Sequence, residues 1–151
     1  MMQARGHELE NDSERERMRA LVAGLDEGRL SLAMPAGWTV ASVLAHLAFW
    51  DARALYLLDK WAGGAAPSQA DYEPEDIDWV NDAGKPLCLA LPPGTARELA
   101  LRIADEADAR VRGLNDEMLQ SVLAAGMPFN LSRAEHRREH LDDIERALRG
   151  A

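Results

Sequence analysis

Apolar residues recur along this chain at spacings of three and four, the period of one helix face, and the pattern predicts helices nearly throughout. Ser13-Glu14-Arg15-Glu16 reads as a capping box, in which the serine oxygen accepts one free amide and the glutamate reaches back to another. An amphipathic helix is expected from there to about Leu25. Gly24, Gly28, Pro35 and Gly37 mark a connection. Thr39 then caps a second helix running to about Ala62, with Trp38 packing on Val43 as a hydrophobic staple. That helix, "TVASVLAHLAFWDARALYLLDKWA", is apolar nearly all round, as suits the most enclosed helix of a bundle. After "GGAAPS" comes a looser stretch, helical from Pro74 to about Ala83 and irregular over "KPLCLALPPG". "LCLAL" has the composition of a buried strand, but a lone strand leaves its backbone groups unsatisfied, so a sheet is rejected. Thr95-Ala96-Arg97-Glu98 is a second capping box, opening a helix to about Arg112 with Leu99, Ile103 and Ala107 on one stripe, continued by Val111 and Leu114. Ser132-Arg133-Ala134-Glu135 is a third, opening a helix to about Arg149. Four long helices make an all-α four-helix bundle the expected architecture, as a single domain over residues 1–151.

At 151 residues the chain can bury a core without disulfides or a structural metal. Its 17 Lys and Arg against 26 Asp and Glu give a net charge of -9, the wrong sign for a phosphate backbone, and no basic run compensates. Nucleic acid is therefore not an expected partner. Cys88 is the single cysteine, which excludes an intrachain disulfide or thiolate cluster. The start, "MMQARGHELENDSERERM", is polar where a secretion signal has an apolar core, and no apolar run approaches a membrane span, so a cytoplasmic location is expected.

The candidate chemistry centres on histidine. His136 and His140, within "SRAEHRREHLDD", stand four apart, where two imidazoles on one helix face can converge on a divalent ion. With His136 at zero, His140 falls at about 40° and Ile144, Leu148 and Leu141 at about 80° to 140°, so the pair borders the buried face. Alone, the pair reads equally well as solvated histidines beside Glu135, Glu139 and Asp143. His46 changes the balance: it sits in "SVLAHLAFWDARALYLL", where an unsatisfied ring among leucines and aromatics costs free energy. His46 taken singly reads as a core histidine bonded to a carbonyl. Together the three supply nitrogens from two helices, which describes an open, catalytic type of metal site. His136-Arg137-Arg138-Glu139-His140 also matches the H-x-x-E-H pattern of inverted zincins, with Glu139 as general base. That chemistry requires an acidic ligand well downstream, whereas Glu145 lies on the same helix, and the pattern is set aside. The paired Glu-x-x-His of di-iron carboxylate bundles, Gly-rich phosphate loops, a serine nucleophile elbow and Cys-x-x-Cys are missing.

Two arginines are candidates for binding a carboxylate or other anionic group of a substrate: Arg53, seven positions after His46, and Arg137, at about 100° on the fourth helix. The competing reading for each is a side chain reaching solvent or paired with an acid such as Asp51. Of the tryptophans, Trp50, one turn beyond His46, is the candidate for lining a pocket. Trp38 reads as the staple, Trp61 as a helix-end anchor and Trp79 as packing for the middle segment. Cys88 reads as buried filler, and His7, near a charged terminus, as nonfunctional.

In order along the chain, "GWTVASVLAHLAFWDAR", "EDIDWVNDAG" before "LPPGT", "LNDEML" and "EHRREHLDDIERAL" resemble the DinB/YfiT-like proteins, four-helix bundles with a histidine triad. The resemblance spans most of the chain, with a generic first helix. It implies a divalent metal, nickel or zinc, on the residues matching His46, His136 and His140. It also implies, for some relatives, a low-molecular-weight thiol such as mycothiol or bacillithiol, used by transferases or by the maleylpyruvate isomerase, and a homodimer. A metal held by neutral imidazoles lowers the pKa of a bound water or thiol, or polarises a carbonyl. Thiol activation is preferred because the resemblance implies it. The acid that commonly bonds a ligating histidine is Glu139, Glu135 or Asp143, and the sequence does not choose among them. Two functions are thus expected: a metal-dependent enzyme acting on a small molecule or, alternatively, a non-catalytic helical binding protein with a structural or vestigial metal site.

Overall fold

The computed structural model describes residues 5–151; the first four residues of the polar start lie outside them. Seven α-helices and no strand occur among the described residues: α1 (His7–Ala23), α2 (Glu27–Leu30), α3 (Val40–Ala62), α4 (Asp78–Ala90), α5 (Pro93–Gly113), α6 (Asp116–Ala124) and α7 (Ala134–Arg149). The long helices α1, α3, α5 and α7 carry most of the packing: α3 lies chiefly on α5, α1 lies on α5 and α7, and α7 meets α3 more narrowly. Among the described residues no helix is long and apolar enough to cross a membrane.

The core is divided. One apolar cluster gathers Met18, Val22, Leu30, Leu44, Leu47, Leu141 and Ile144; the other gathers Leu57, Leu58, Trp61, Val111, Leu119, Val122 and Leu131. Where the chain passes from one cluster to the other, the buried positions are polar: Asn11, Asp51, Asp108, Arg133 and Arg137. On α5 the buried stripe is Ala96, Ala100, Ala104 and Ala107, continued by Val111 and Leu114, whereas Leu99 and Ile103 are only half-buried flanks. Small side chains at that spacing let α3 approach closely, which explains why the expected Leu99 and Ile103 stripe lies off centre.

The helix ends correct the sequence reading in three places. Thr39 does cap α3, and the reciprocal partner is Ser42: Ser42 N–H donates to Thr39 Oγ1 at 3.1 Å and Thr39 N–H to Ser42 Oγ at 2.7 Å. Ser13, by contrast, is exposed in the middle of α1, because the turns before it are held helical from outside. Arg5 donates to Leu114 O at 2.7 Å, and Glu8 and Glu10 favour the positive end of the helix dipole. The Thr95 box is bypassed because Pro93, with its preset φ, opens α5 two residues earlier, and Ala96 N–H donates to Pro92 O. Ser132 gives way to a cap supplied by another helix: Asn11 Oδ1 accepts from Arg133 N at 2.7 Å and Ala134 N at 3.0 Å, while Asn11 Nδ2 donates to Leu131 O at 2.8 Å. Asn11→Ala removes all three bonds from a buried site and is expected to cost about 2–3 kcal/mol in urea unfolding. Asn11→Asp, which keeps the acceptor, is expected to cost less.

The middle segment is also corrected. Residues 74–77 precede α4, and the helix runs through Pro86 to Ala90, so most of "KPLCLALPPG" is helical. Pro86 forgoes one ladder bond. Cys88 and Leu91 hold the segment by packing against the first apolar cluster, although no residue of α4 is fully buried. The short α6, for which no helix is expected from the sequence, is capped by Asn115, whose side chain accepts from Met118 N at 2.8 Å.

Candidate metal centre

His46 comes from the enclosed helix α3 and His136 and His140 from one face of α7, and the fold brings the three rings together. His46 Nε2 lies 3.2 Å from His136 Nε2, and His140 Nε2 lies 3.1 Å from the same atom. One nitrogen of each ring falls within 4.8 Å of the others, so the triad can hold a metal ion. The donor set fits one: four donors at the ordinary zinc to nitrogen distance of about 2.0–2.1 Å, arranged tetrahedrally, stand about 3.3 Å apart. His136 Nε2, approached by both neighbours, carries at most one proton, so it cannot donate to both. Three lone pairs turned toward a common cation satisfy every ring at once.

Electrostatics prepare the imidazoles for that role. Burial first, and then the His140 charge, lowers His46 from 6.5 to about 4. Burial, His140, His46 and the Arg133 and Arg137 guanidinium groups lower His136 to about 3. His140 is also lowered by burial, against an opposing pull from Glu139 and Asp143. The rings are neutral at pH 7, the form that binds a metal. The sign of the pH effect follows. Above pH 6.5 these rings are neutral in folded and unfolded chains alike. As pH falls below 6.5 the unfolded chain takes up protons that His46 and His136 refuse until about 4 and about 3. Stability of the metal-free protein is therefore expected to fall between pH 6.5 and 4, with a shallower fall in His136→Gln, measured as urea midpoints across that range.

The triad opens into a cavity of about 720 Å³, the size of a small-molecule site. Met34, Pro35 and Trp38 form one wall, the start of α4 (Ile77, Asp78, Asn81, Asp82) another, and Glu139, Asp143 and Arg146 of α7 the rim. Trp38 is set by the turn before it: Ala36 adopts φ 60° and Gly37 φ 81°, and Met34 N–H donates to Trp38 O at 2.8 Å. Its ring meets His46 edge-on, with centroids 5.7 Å apart, while Lys85 Nζ sits over the Trp38 ring and donates to Ala36 O.

Several expected site residues lie elsewhere. Arg137 is fully buried with all five N–H donors engaged, by Asp51, Asp108 and Asn11 O, so it has none for a substrate anion. The pairing with Asp51 is the competing reading of the sequence. Arg53 does not line the cavity; it donates to Asn130 Oδ1 at 3.1 Å and Asp71 O at 2.7 Å, because two helical turns carry it away from His46. Trp50 is buried behind the wall, its Nε1–H donating to Asn81 Oδ1 at 2.9 Å. The tryptophan on the cavity is Trp38, which the staple reading hides. Asp78 and Asp82 were also missed, although their spacing of four signals a common face of α4. Of the three candidate acids beside the histidines, Glu139 and Asp143 line the cavity, whereas Glu135 is exposed outside it. Trp61 anchors the end of α3 as expected, its Nε1–H donating to Asp71 Oδ2 at 3.0 Å, whereas Trp79 is 61 % exposed. Cys88 is half-buried, with its thiol pKa raised by burial, and His7 is half-buried at the start of α1.

An all-helical fold with three converging imidazoles at a small-molecule cavity defines a histidine-triad helical protein. The family model described as the DinB superfamily matches residues 10–141, and the chain belongs to that superfamily. No match was found among curated proteins or among solved structures.

Proposed function

We propose that the four long helices form a bundle of the DinB/YfiT type and that the protein is a divalent-metal-dependent enzyme acting on a small molecule. The observation that carries this reading is the convergence of His46, His136 and His140 on one point of an accessible cavity. The ligands in this reading are the three Nε2 atoms, and the metal is nickel or zinc. A bound divalent ion supplies Lewis acidity, lowering the pKa of a coordinating water or thiol or polarising a carbonyl. The residues of the chain do the rest. Neutral imidazoles leave the ion its full charge, and Trp38 and Val43 wall the cavity with apolar surface. Glu139, next to His140 and facing the cavity, is the base we assign to accept the proton released by an incoming nucleophile.

The reaction we favour is transfer or isomerisation dependent on a low-molecular-weight thiol. With Arg53 and Arg137 engaged elsewhere, four carboxylates (Asp78, Asp82, Glu139, Asp143) face the cavity against one cation among the described residues, Arg146, itself 2.8 Å from Asp143. That rim favours neutral or cationic substrates over polyanions. The test is addition of small thiols to the Co²⁺-loaded protein. A thiolate-to-cobalt charge-transfer band is the expected result, and unchanged spectra with every thiol would count against thiol chemistry.

A further inference from the structure

We infer that the buried ionic layer of Asp51, Arg133 and Arg137 is the positioning element of the metal centre, fixing the register of α7 on α3 that brings His136 and His140 to His46. The inference rests on reading the triad as a metal site. Two sets of contacts tie these helices together. His46 of α3 meets His136 and His140 of α7, and Asp51 of α3 meets Arg137 of α7 and Arg133 just before it. Because the higher α3 number pairs with the lower α7 numbers, the helices run antiparallel there. The ionic rung lies five residues, or about 7.5 Å, along α3 from the imidazole rung.

The imidazole rung holds the register weakly before an ion binds, since His136 Nε2 offers either one N–H or one lone pair and so makes only one well-directed bond to its two neighbours. Apolar contacts of α7 are nondirectional and tolerate rotation or sliding. The guanidinium forks are directional. Arg133 Nε donates to Asp51 Oδ1 at 2.8 Å, and Arg137 Nε and Nη2 donate to Asp51 Oδ2 at 3.2 and 3.1 Å. Arg137 also bonds both oxygens of Asp108 on α5 at 2.8 Å, and Arg15 of α1 bonds Asp108 Oδ2 at 2.7 Å, so the layer locks all four long helices. A slip of one turn, about 5.4 Å, breaks both rungs together. Buried ion pairs are weak net stabilisers, and setting register is their best-attested use.

The experiment is Co²⁺ affinity by chelator competition, with the cobalt d–d spectrum as a second readout, in wild type, Asp51→Asn, Arg137→Lys and the apolar pair Asp51→Leu/Arg137→Met. Val122→Ala, in the far apolar cluster, is the control for lost stability alone. The expected result is affinity weakened about 10- to 100-fold, the size found for residues that orient ligands, with an altered spectrum and retained helical circular dichroism. Val122→Ala keeps wild-type affinity and spectrum. Should Asp51→Asn fail to fold, Arg137→Lys decides, since it keeps a positive charge opposite Asp51 and Asp108 and removes only the planar fork. Wild-type affinity and spectrum in the folded layer variants, or equal weakening in Val122→Ala, would overturn the inference while leaving the metal reading intact. A wild type that binds no Co²⁺ overturns both.

Discussion

His136→Ala is expected to weaken divalent-metal binding by more than about 100-fold while leaving a folded protein. The position is the most sensitive of the three because its Nε2 is the atom that both other imidazoles approach, at 3.2 and 3.1 Å. Two nitrogens without it no longer converge on a closed set of ligands. The fold loses little, since the ring is half-buried and its hydrogen-bond and ring contacts are with His46 and His140. The readout is thermal. Metal at 100 times its dissociation constant stabilises the folded state by about 2.7 kcal/mol, which raises Tm by roughly 5–11 °C in a domain of this size. Wild type is expected to show that rise and His136→Ala to show none. An equal rise in both would place metal binding elsewhere.

The largest loss of stability from a single substitution is expected from Arg137→Met. The guanidinium is fully buried, and its removal leaves Asp51 with Arg133 alone and Asp108 with Arg15 alone. Removing one partner of a buried ionic cluster costs about 3–5 kcal/mol, and here each carboxylate keeps a single guanidinium and loses the bonds that Arg137 donated to it. Adding Asp51→Leu takes the carboxylate from buried Arg133 as well, so the double variant is expected to lose more than Arg137→Met but less than the sum of the two single losses, because the Asp51–Arg137 contact is lost only once. Urea unfolding of the two single variants and the double variant forms a thermodynamic cycle. Independent, additive losses would show that Asp51 and Arg137 do not act as a unit.

The parts of this protein legible in its sequence are those set by local chemistry. Thr39, the run of apolar residues behind it and Gly63 define α3 without help from the rest of the chain. The site was legible for a related reason: a histidine inside that apolar helix needs a partner, and His136 and His140 border the apolar edge of α7. What escaped is set across the fold. The start of α7 depends on Asn11, more than 120 positions away, so the local Ser132 pattern misled. The start of α1 is held by Arg5 reaching Leu114, and α4 survives Pro86 because Cys88 and Leu91 pack inward. The arginines were ambiguous because the spacing of Arg137 puts it on the buried side without saying whether an acid or a cavity meets it. Asp51 and Asp108 meet it, from two other helices. Trp38 was hidden by a valid local motif, since a residue just before a helix can pack as a staple and face a pocket as well.

The central claim is that His46, His136 and His140 form a metal site. It is tested most directly by elemental analysis of protein purified without a histidine tag or metal-affinity column, beside His46→Ala prepared in the same way. The account predicts about one equivalent of a divalent metal, nickel or zinc, in wild type and little in the variant. Absence of metal from wild type, even after reconstitution with several divalent ions, would contradict it.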